Sequence, residues 1–139
     1  MSTVSCTETL AGEEAGLVLA LMSFPWAGFL DPAHRSFGTG GLHPVIVLPV
    51  LMVAVAGWLG GSWPAVIRAA FSCAAAAGLL IGVGSVGIAL LTADVPSFGD
   101  AARTGLWMLT TGSASGFLIG FTGAVLGLAA KSLSCLIKR

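Results

Sequence analysis

Three long stretches without a charged side chain constrain the fold of this chain more than any other feature. They cover residues 36–67, 69–93 and 104–130, which is 32, 25 and 27 residues without Asp, Glu, Lys or Arg. An α-helix needs about 20 apolar residues to cross a bilayer core of about 30 Å. The sequence therefore predicts three transmembrane helices, at about 42–61, 65–91 and 104–130.

The composition agrees with a membrane environment. Of the 139 residues 56% are hydrophobic and 9% charged, whereas a soluble domain has about 25% charged residues. Six basic and six acidic side chains cancel, which excludes the basic surface of a nucleic-acid binder, and the high hydrophobicity excludes a disordered tail. Lipid admits only helices or closed barrels, and strand-like alternation is absent from the sequence. We therefore expect an all-α integral membrane protein.

A fourth apolar stretch, residues 15–30, is too short for a comfortable span. Pro25 interrupts it, Glu13 and Glu14 precede it, and Asp31 follows it. A stretch of this length favours an interfacial or re-entrant helix. The alternative is a short, kinked fourth span.

Two of the predicted spans carry stripes of small residues. At 100° per residue, each stripe falls within an arc of about 80–100° on its helix. Small residues let helix backbones approach closely in lipid, so the stripes predict helix packing, within the chain, against another subunit or against a flat cofactor. The last span contributes Gly112, Gly116, Gly120, Gly123 and Gly127, and the middle span contributes Ala74, Ala75, Gly78, Gly82, Ser85 and Ala89.

Residues typical of catalysis are scarce. Apart from Arg68 near the start of the span at 65–91, no predicted span contains an acidic or basic residue, and the sequence has no phosphate-binding loop, zinc-protease motif or serine-hydrolase elbow. Cys6, Cys73 and Cys135 are odd in number and form no Cys-x-x-Cys pair, which gives no support for a zinc site and leaves their redox state open. We therefore expect a protein that is not an enzyme.

One histidine and one proline suggest a ligand site at the start of the first span. His43 directly precedes Pro44, and neutral imidazole is a common metal ligand, although a polar residue at a helix end is the simpler interpretation. Pro49 has no N–H group, so the backbone carbonyl of Val45 is left free for a ligand or a water molecule.

Short motifs along the chain resemble those of photosystem I reaction-centre subunit XI, the L subunit. Residues 32–35 read Pro-Ala-His-Arg where the family has Pro-Ala-Tyr-Arg, and residues 41–43 read Gly-Leu-His where it has Gly-Leu-Glu. An alanine run leads into Gly-Leu at 74–79. Trp107 is followed by a Gly-Phe-x-x-Gly-x-x-Gly-small pattern at 116–124. The family's Ala-His-Gly motif in the first span is absent, and Leu48 stands near its place.

The resemblance implies a structural, pigment-binding subunit at the edge of a photosystem I core. It implies antenna chlorophyll and carotenoid as cofactors and a thylakoid membrane as the location. His43 matches the family's chlorophyll-binding glutamate, which makes it a candidate axial ligand of a chlorophyll magnesium. No other metal site is expected. The expected partners are the other membrane subunits of a large complex and lipids, with no nucleic acid.

Two other functional classes remain open. One is a small accessory subunit of a respiratory or mitochondrial import complex. The glycine-rich import-channel family has four spans and would require residues 15–30 to cross the membrane. The other is a small channel or transporter. Their locations would be the mitochondrial inner membrane or a bacterial plasma membrane.

Overall fold

A computed structural model describes residues 2–23, 44–92 and 97–138, which form four α-helices and no strand. The all-α prediction is thus confirmed for this part of the chain. The helices are α1 (Ser2–Ser23), α2 (Pro44–Gly60), α3 (Trp63–Thr92) and α4 (Phe98–Ile137).

The four helices pack side by side in the cyclic order α1, α3, α4, α2. Helices α1 and α3 run in one direction, and α2 and α4 run in the other, as the facing residues show: Gly12 and Gly16 of α1 meet Ala69 and Ala77 of α3. The start of α1 and the end of α4 therefore lie beside the α2–α3 turn. We call this the turn end of the bundle.

Two of the helices are long and apolar enough to cross a membrane. They are α3, with 29 qualifying residues at Trp63–Leu91, and α4, with 40 residues. Helix α2 is equally apolar but short, with its apolar part at Ile46–Gly60. The predicted spans at 65–91 and 104–130 lie inside α3 and α4. The described part of the predicted span at 42–61 forms α2.

Helix α4 is longer than the predicted 104–130, and its first turn explains why. The side chain of Ser97 accepts a hydrogen bond of 3.2 Å from the backbone N–H of Asp100, and Ser97 itself has an extended backbone. This is the geometry of a helix N-cap. The carboxylate of Asp100 also lies in the first turn, where its negative charge interacts favourably with the positive end of the helix dipole. The prediction had treated these residues as part of a loop.

The N-terminal helix differs most from its prediction. A helix was expected at 15–30, whereas α1 already begins at Ser2 and therefore includes Glu8, Glu13 and Glu14. Helix α1 packs along both α3 and α2. Residues 24–30 of the predicted helix lie outside the described residues.

The α2–α3 turn is only two residues long, Gly61 and Ser62. Gly61 has a φ of 60°, a left-handed conformation that favours glycine, and its N–H donates to the carbonyl oxygen of Gly57 at 3.0 Å. Pro64 lies in the first turn of α3, where a missing N–H costs nothing. The predicted spans at 42–61 and 65–91 leave residues 62–64 for this connection, so α3 begins two residues earlier than predicted.

Side-chain size is distributed in the opposite sense to that of a soluble domain. The buried apolar residues are mostly alanine and glycine, with Val53, Val66 and Leu19 as larger members, while every helix has exposed large apolar side chains. Examples are Leu51, Phe71, Leu91 and Trp107. The helices therefore approach each other through small residues and direct their large apolar side chains outwards.

Candidate functional site

The glycine stripe of α4 lies against α3 along its first half. A Cβ atom added to Gly116 would lie 2.7 Å from the carbonyl oxygen of Cys73, and one added to Gly120 would lie 2.9 Å from the Cα of Ala70. Gly112 meets Ala77 and Ile81 in the same way. Since backbone atoms are involved, no side chain can be accommodated here without separating the helices.

The second half of the same stripe lies against α2. A Cβ on Gly123 would lie 2.6 Å from the carbonyl oxygen of Val50, and one on Gly127 would overlap the carbonyl oxygen of Ala54. Gly57 of α2 is equally close to the backbone of Ala124. The stripe of α4 thus contacts two helices of the same chain.

Gly78 and Gly82 of α3 complete the α3–α4 interface. An added Cβ would overlap the hydroxyl oxygen of Ser113 at Gly78, and would lie 2.7 Å from the Cβ of Leu109 at Gly82. For the glycine stripe of α4 and for Ala74, Gly78 and Gly82 of the middle stripe, the structure shows contacts within the chain, whereas Ala75 of the middle stripe is exposed.

Helix α1 has a small-residue stripe of its own that sequence analysis missed. A Cβ on Gly12 would lie 3.0 Å from the carbonyl oxygen of Ala69, and one on Gly16 would lie 2.9 Å from the backbone nitrogen of Ala77. Ala15 is fully buried on the same face. It belongs to a buried cluster with Cys73, which lies in the middle of the bundle.

A buried carboxyl group stands at the start of this stripe. Glu8 is 1% exposed, and neither of its carboxylate oxygens has a hydrogen-bond partner among the described residues. Its Oε1 atom lies against Gly60, so closely that a Cβ on Gly60 would overlap it. An unpaired buried polar group costs free energy, so a site of this kind is a candidate for function.

Two basic residues lie near this carboxyl group. The side chain of Lys131 covers Gly61, with its Cε within 2.8 Å of an added Cβ, and Arg68 lies on α3 near enough to act on the charge of Glu8. Burial raises the pKa of the Glu8 carboxyl above its ordinary value, and the positive charges of Arg68 and Lys131 offset part of that rise. We call Glu8, Gly60, Gly61, Arg68 and Lys131 the Glu8 corner.

A periodic signal in the sequence could have identified this carboxyl group. Glu8, Gly12, Gly16 and Ala20 recur every four residues and therefore share one face of a helix, the face that the structure buries. The prediction started the helix at residue 15, so Glu8 was treated as lying outside it.

An open groove runs along the outer side of α1 and α3. It has a volume of about 740 Å³ and is lined mainly by apolar side chains, with the exposed carboxylates of Glu13 and Glu14 at its edge. Phe71 lines it and meets Phe117 of α4 edge to face, with 5.4 Å between ring centroids. The groove is therefore an apolar surface with two negative charges.

Of the predicted pigment site, only part can be located. His43 lies outside the described residues. Val45 is in the first turn of α2, four residues before Pro49, whose side chain is fully buried. Because Pro49 has no N–H group, it cannot donate to the Val45 carbonyl, and the use of that carbonyl by a ligand stays a prediction.

Other chemical groups are few in the described part of the chain. No group of three His, Cys, Asp or Glu residues there could hold a metal ion, and the three cysteines are free thiols. Hydroxyl groups on α4 turn back to their own helix: Thr111 donates to the carbonyl oxygen of Trp107 at 2.8 Å, and Ser132 to that of Leu128 at 3.0 Å.

Comparison with known proteins gives no relative. No family model matches the chain, and neither a curated protein nor a solved structure is similar to it.

Proposed function

We propose that this chain is an integral membrane protein that serves as a non-catalytic structural subunit of a larger membrane complex. The observation that carries the proposal is the distribution of side-chain size, with glycine and alanine inside and leucine, isoleucine, phenylalanine and tryptophan outside. Soluble domains bury their large apolar side chains and rarely expose extended apolar patches. In lipid, exposing large apolar side chains on the outer face of the bundle has no free-energy cost, and small residues between the helices allow close van der Waals packing.

The hydroxyl groups support the same environment. Thr111 and Ser132 are exposed but bond to carbonyl oxygens of their own helix instead of depending on solvent. A lipid-facing hydroxyl needs such an internal partner, since the surroundings offer none.

The exposed carboxylates of α1 support a partner subunit. Glu13 and Glu14 lie beside the apolar groove, at the level of Cys73 and therefore well inside the length of α3. A carboxylate that faces lipid is costly. A partner that covers the groove and supplies donors or positive charges removes this cost.

The identity of the complex is the finer part of the proposal. The resemblance to the photosystem I L subunit supports a photosynthetic complex, with chlorophyll and carotenoid bound on the outer apolar faces and His43 as a magnesium ligand. The packing of α1 as a fourth helix supports the alternative, an accessory subunit of a respiratory or import complex, because the L subunit has three spans.

Two measurements test the proposal in sequence. The first is extraction of native membranes at alkaline pH, followed by gentle detergent and size separation. We expect the chain to stay in the membrane pellet and then to migrate in a complex much larger than its own 13.9 kDa. Release by alkali would contradict a membrane protein, and migration as a lone chain would contradict a subunit.

The second measurement is the absorption spectrum of that complex. Chlorophyll bands that weaken in a His43→Leu variant would support the photosynthetic version and its ligand. A complex without pigment would remove that version and favour the respiratory or import alternative, while the structural role would stand.

A further inference from the structure

We propose that Glu8 is a proton-binding switch: its neutral carboxyl group allows the start of α1 to dock at the turn end of the bundle, and its ionisation releases α1. This goes beyond the structural role proposed above and does not depend on which complex the chain joins. It rests on the burial at a helix interface of one carboxyl group that has no hydrogen-bond partner among the described residues.

The first step is the fit of the side chain. Glu8 is almost completely buried, and both carboxylate oxygens lack a hydrogen-bond partner among the described residues. Gly60 leaves only enough space for the carboxyl group, because a single added methyl would overlap Oε1. The surface of α2 and α3 on which α1 packs, which we call the seat of α1, therefore fits the carboxyl group by shape without solvating it.

The second step is the cost of charge in that seat. A neutral carboxyl without a bond loses part of its hydration, whereas an ionised carboxylate loses far more. Docking of α1 therefore favours the protonated form. By linkage, docking is most stable below the ordinary glutamate pKa of about 4.3 and weakens as pH rises through the raised pKa of the docked state.

The third step is the charge on each element that faces Glu8. Helix α2 presents Gly60, which has no side chain, α3 presents Arg68, and α4 presents Lys131. The two positive charges reduce the cost of ionisation, but among the described residues neither forms a hydrogen bond to a Glu8 oxygen. These two charges determine how strongly the docking of α1 depends on pH, but they do not hold the carboxylate in place.

A natural reporter lies beneath α1. Cys73 is fully buried in the cluster that includes Ala15, and Gly12 and Gly16 lie directly over its backbone. Cys6 and Cys135 are exposed. The Cβ of Cys73 itself faces Gly120 of α4. In a Cys6→Ser, Cys135→Ser protein, labelling by a membrane-permeant maleimide therefore reports opening of the bundle at Cys73, and comparison with Glu8→Gln isolates the part of that opening that Glu8 controls.

The experiment compares this reporter protein with the same protein carrying Glu8→Gln, in native membranes, from about pH 5 to about pH 9. At each pH, the labelling rate of the reporter protein is divided by that of its Glu8→Gln variant. This ratio removes the pH dependence of the thiol itself. We expect this ratio to increase with pH from the ordinary glutamate pKa of about 4.3 upwards. It should level off above the raised pKa of the docked state, at about tenfold for each unit by which docking raises the pKa of Glu8. A ratio that does not change with pH would overturn the proposal.

Lys131→Met separates the switch from a simple ion pair. Under the proposal, loss of this positive charge makes ionised Glu8 costlier in the docked state and raises the ratio further at alkaline pH. If Glu8 instead anchors α1 through an ion pair, Glu8→Gln and Lys131→Met would both increase Cys73 labelling over the whole neutral range. That result would also overturn the proposal.

Discussion

The α3–α4 interface and the seat of α1 are built from the same kind of residue but differ in one respect. Both use glycine and alanine to bring helix backbones together, as at Gly116 and Gly120 in the first and Gly12 and Gly16 in the second. Among the described residues, the buried part of the α3–α4 interface has the thiol of Cys73 but no carboxyl or basic group, whereas the seat of α1 ends in the buried carboxyl of Glu8.

This difference separates two properties of a small-residue interface. Contact between backbones depends on shape alone, so the α3–α4 interface should be insensitive to pH and salt. The seat of α1 combines the same contact with a group whose charge state changes its desolvation cost. The α3–α4 interface can therefore hold these two helices, which we call the hairpin, together at every pH. The seat of α1 can release its helix when the pH changes.

The largest effect is expected at the centre of the α3–α4 interface. In Gly120→Leu the new side chain would meet the backbone of Ala70 and the Cβ of Cys73, and neither can move without separating the helices. Overpacking of this kind costs roughly 3 kcal/mol or more. We expect the free energy of unfolding in detergent to fall by that amount and the chain to be lost from its complex.

Gly87→Leu provides the matched control, since a Cβ at Gly87 would meet nothing within 4 Å. It should change the free energy of unfolding by no more than about 1 kcal/mol, because the surrounding space is open. Equal losses in Gly120→Leu and Gly87→Leu would mean that the stripe is not a packing interface.

A smaller effect is expected when the seat of α1 is overpacked. Gly16→Leu would place side-chain atoms against the backbone of Ala77 and the Cβ of Ala76, at a cost of about 1–3 kcal/mol. We expect α1 to detach while α2, α3 and α4 remain packed. Cys73 should then become reactive to maleimide at every pH. Loss of all helical structure would show instead that α1 is inseparable from the hairpin.

A double-mutant cycle at the Glu8 corner sharpens the comparison further. A methyl group at Gly60 would displace Oε1 of Glu8 and would lie 2.6 Å from the Cβ of Ala65. Gly60→Ala should cost about 1–2 kcal/mol in the wild type and less in a Glu8→Ala background, where the displaced carboxyl is absent. Additive effects in the cycle would place Glu8 away from Gly60.

Much of the helical hairpin could be predicted from the sequence. Charge-free length and the spacing of Gly112, Gly116 and Gly120 are local signals, and they identified α3, α4 and the stripe between them. The start of α4 was not predicted, because the length of an apolar stretch indicates only the part of a helix that is suited to lipid. Where the helix begins depends on the cap that Ser97 provides.

The Glu8 corner could not be predicted in the same way. Its residues come from four helices and meet only through the arrangement of the whole bundle, so no local pattern joins Glu8 to Gly60 and Lys131. The predicted helix at 15–30 does not include Glu8, because residues 2–14 are too polar to be recognised by apolar length, although the buried face of this helix consists of small residues. The extent of α1 was therefore wrong in the prediction, although residues 15–23 were correctly expected to be helical.

The smallest effect is expected at the start of α4, where the hairpin has a local support of a kind that α1 lacks. The Ser97 side chain caps α4 and also donates to the Asp100 carboxylate at 2.6 Å, whereas the first turn of α1 contains no acidic residue. Ser97→Ala should lower the free energy of unfolding by about 1 kcal/mol. Ser132→Ala is the control, since its hydroxyl only bonds back to Leu128 within the helix and should contribute almost nothing. Thermal unfolding in detergent should rank the two variants in this order. The opposite order would mean that α4 draws its stability from packing alone, like α1.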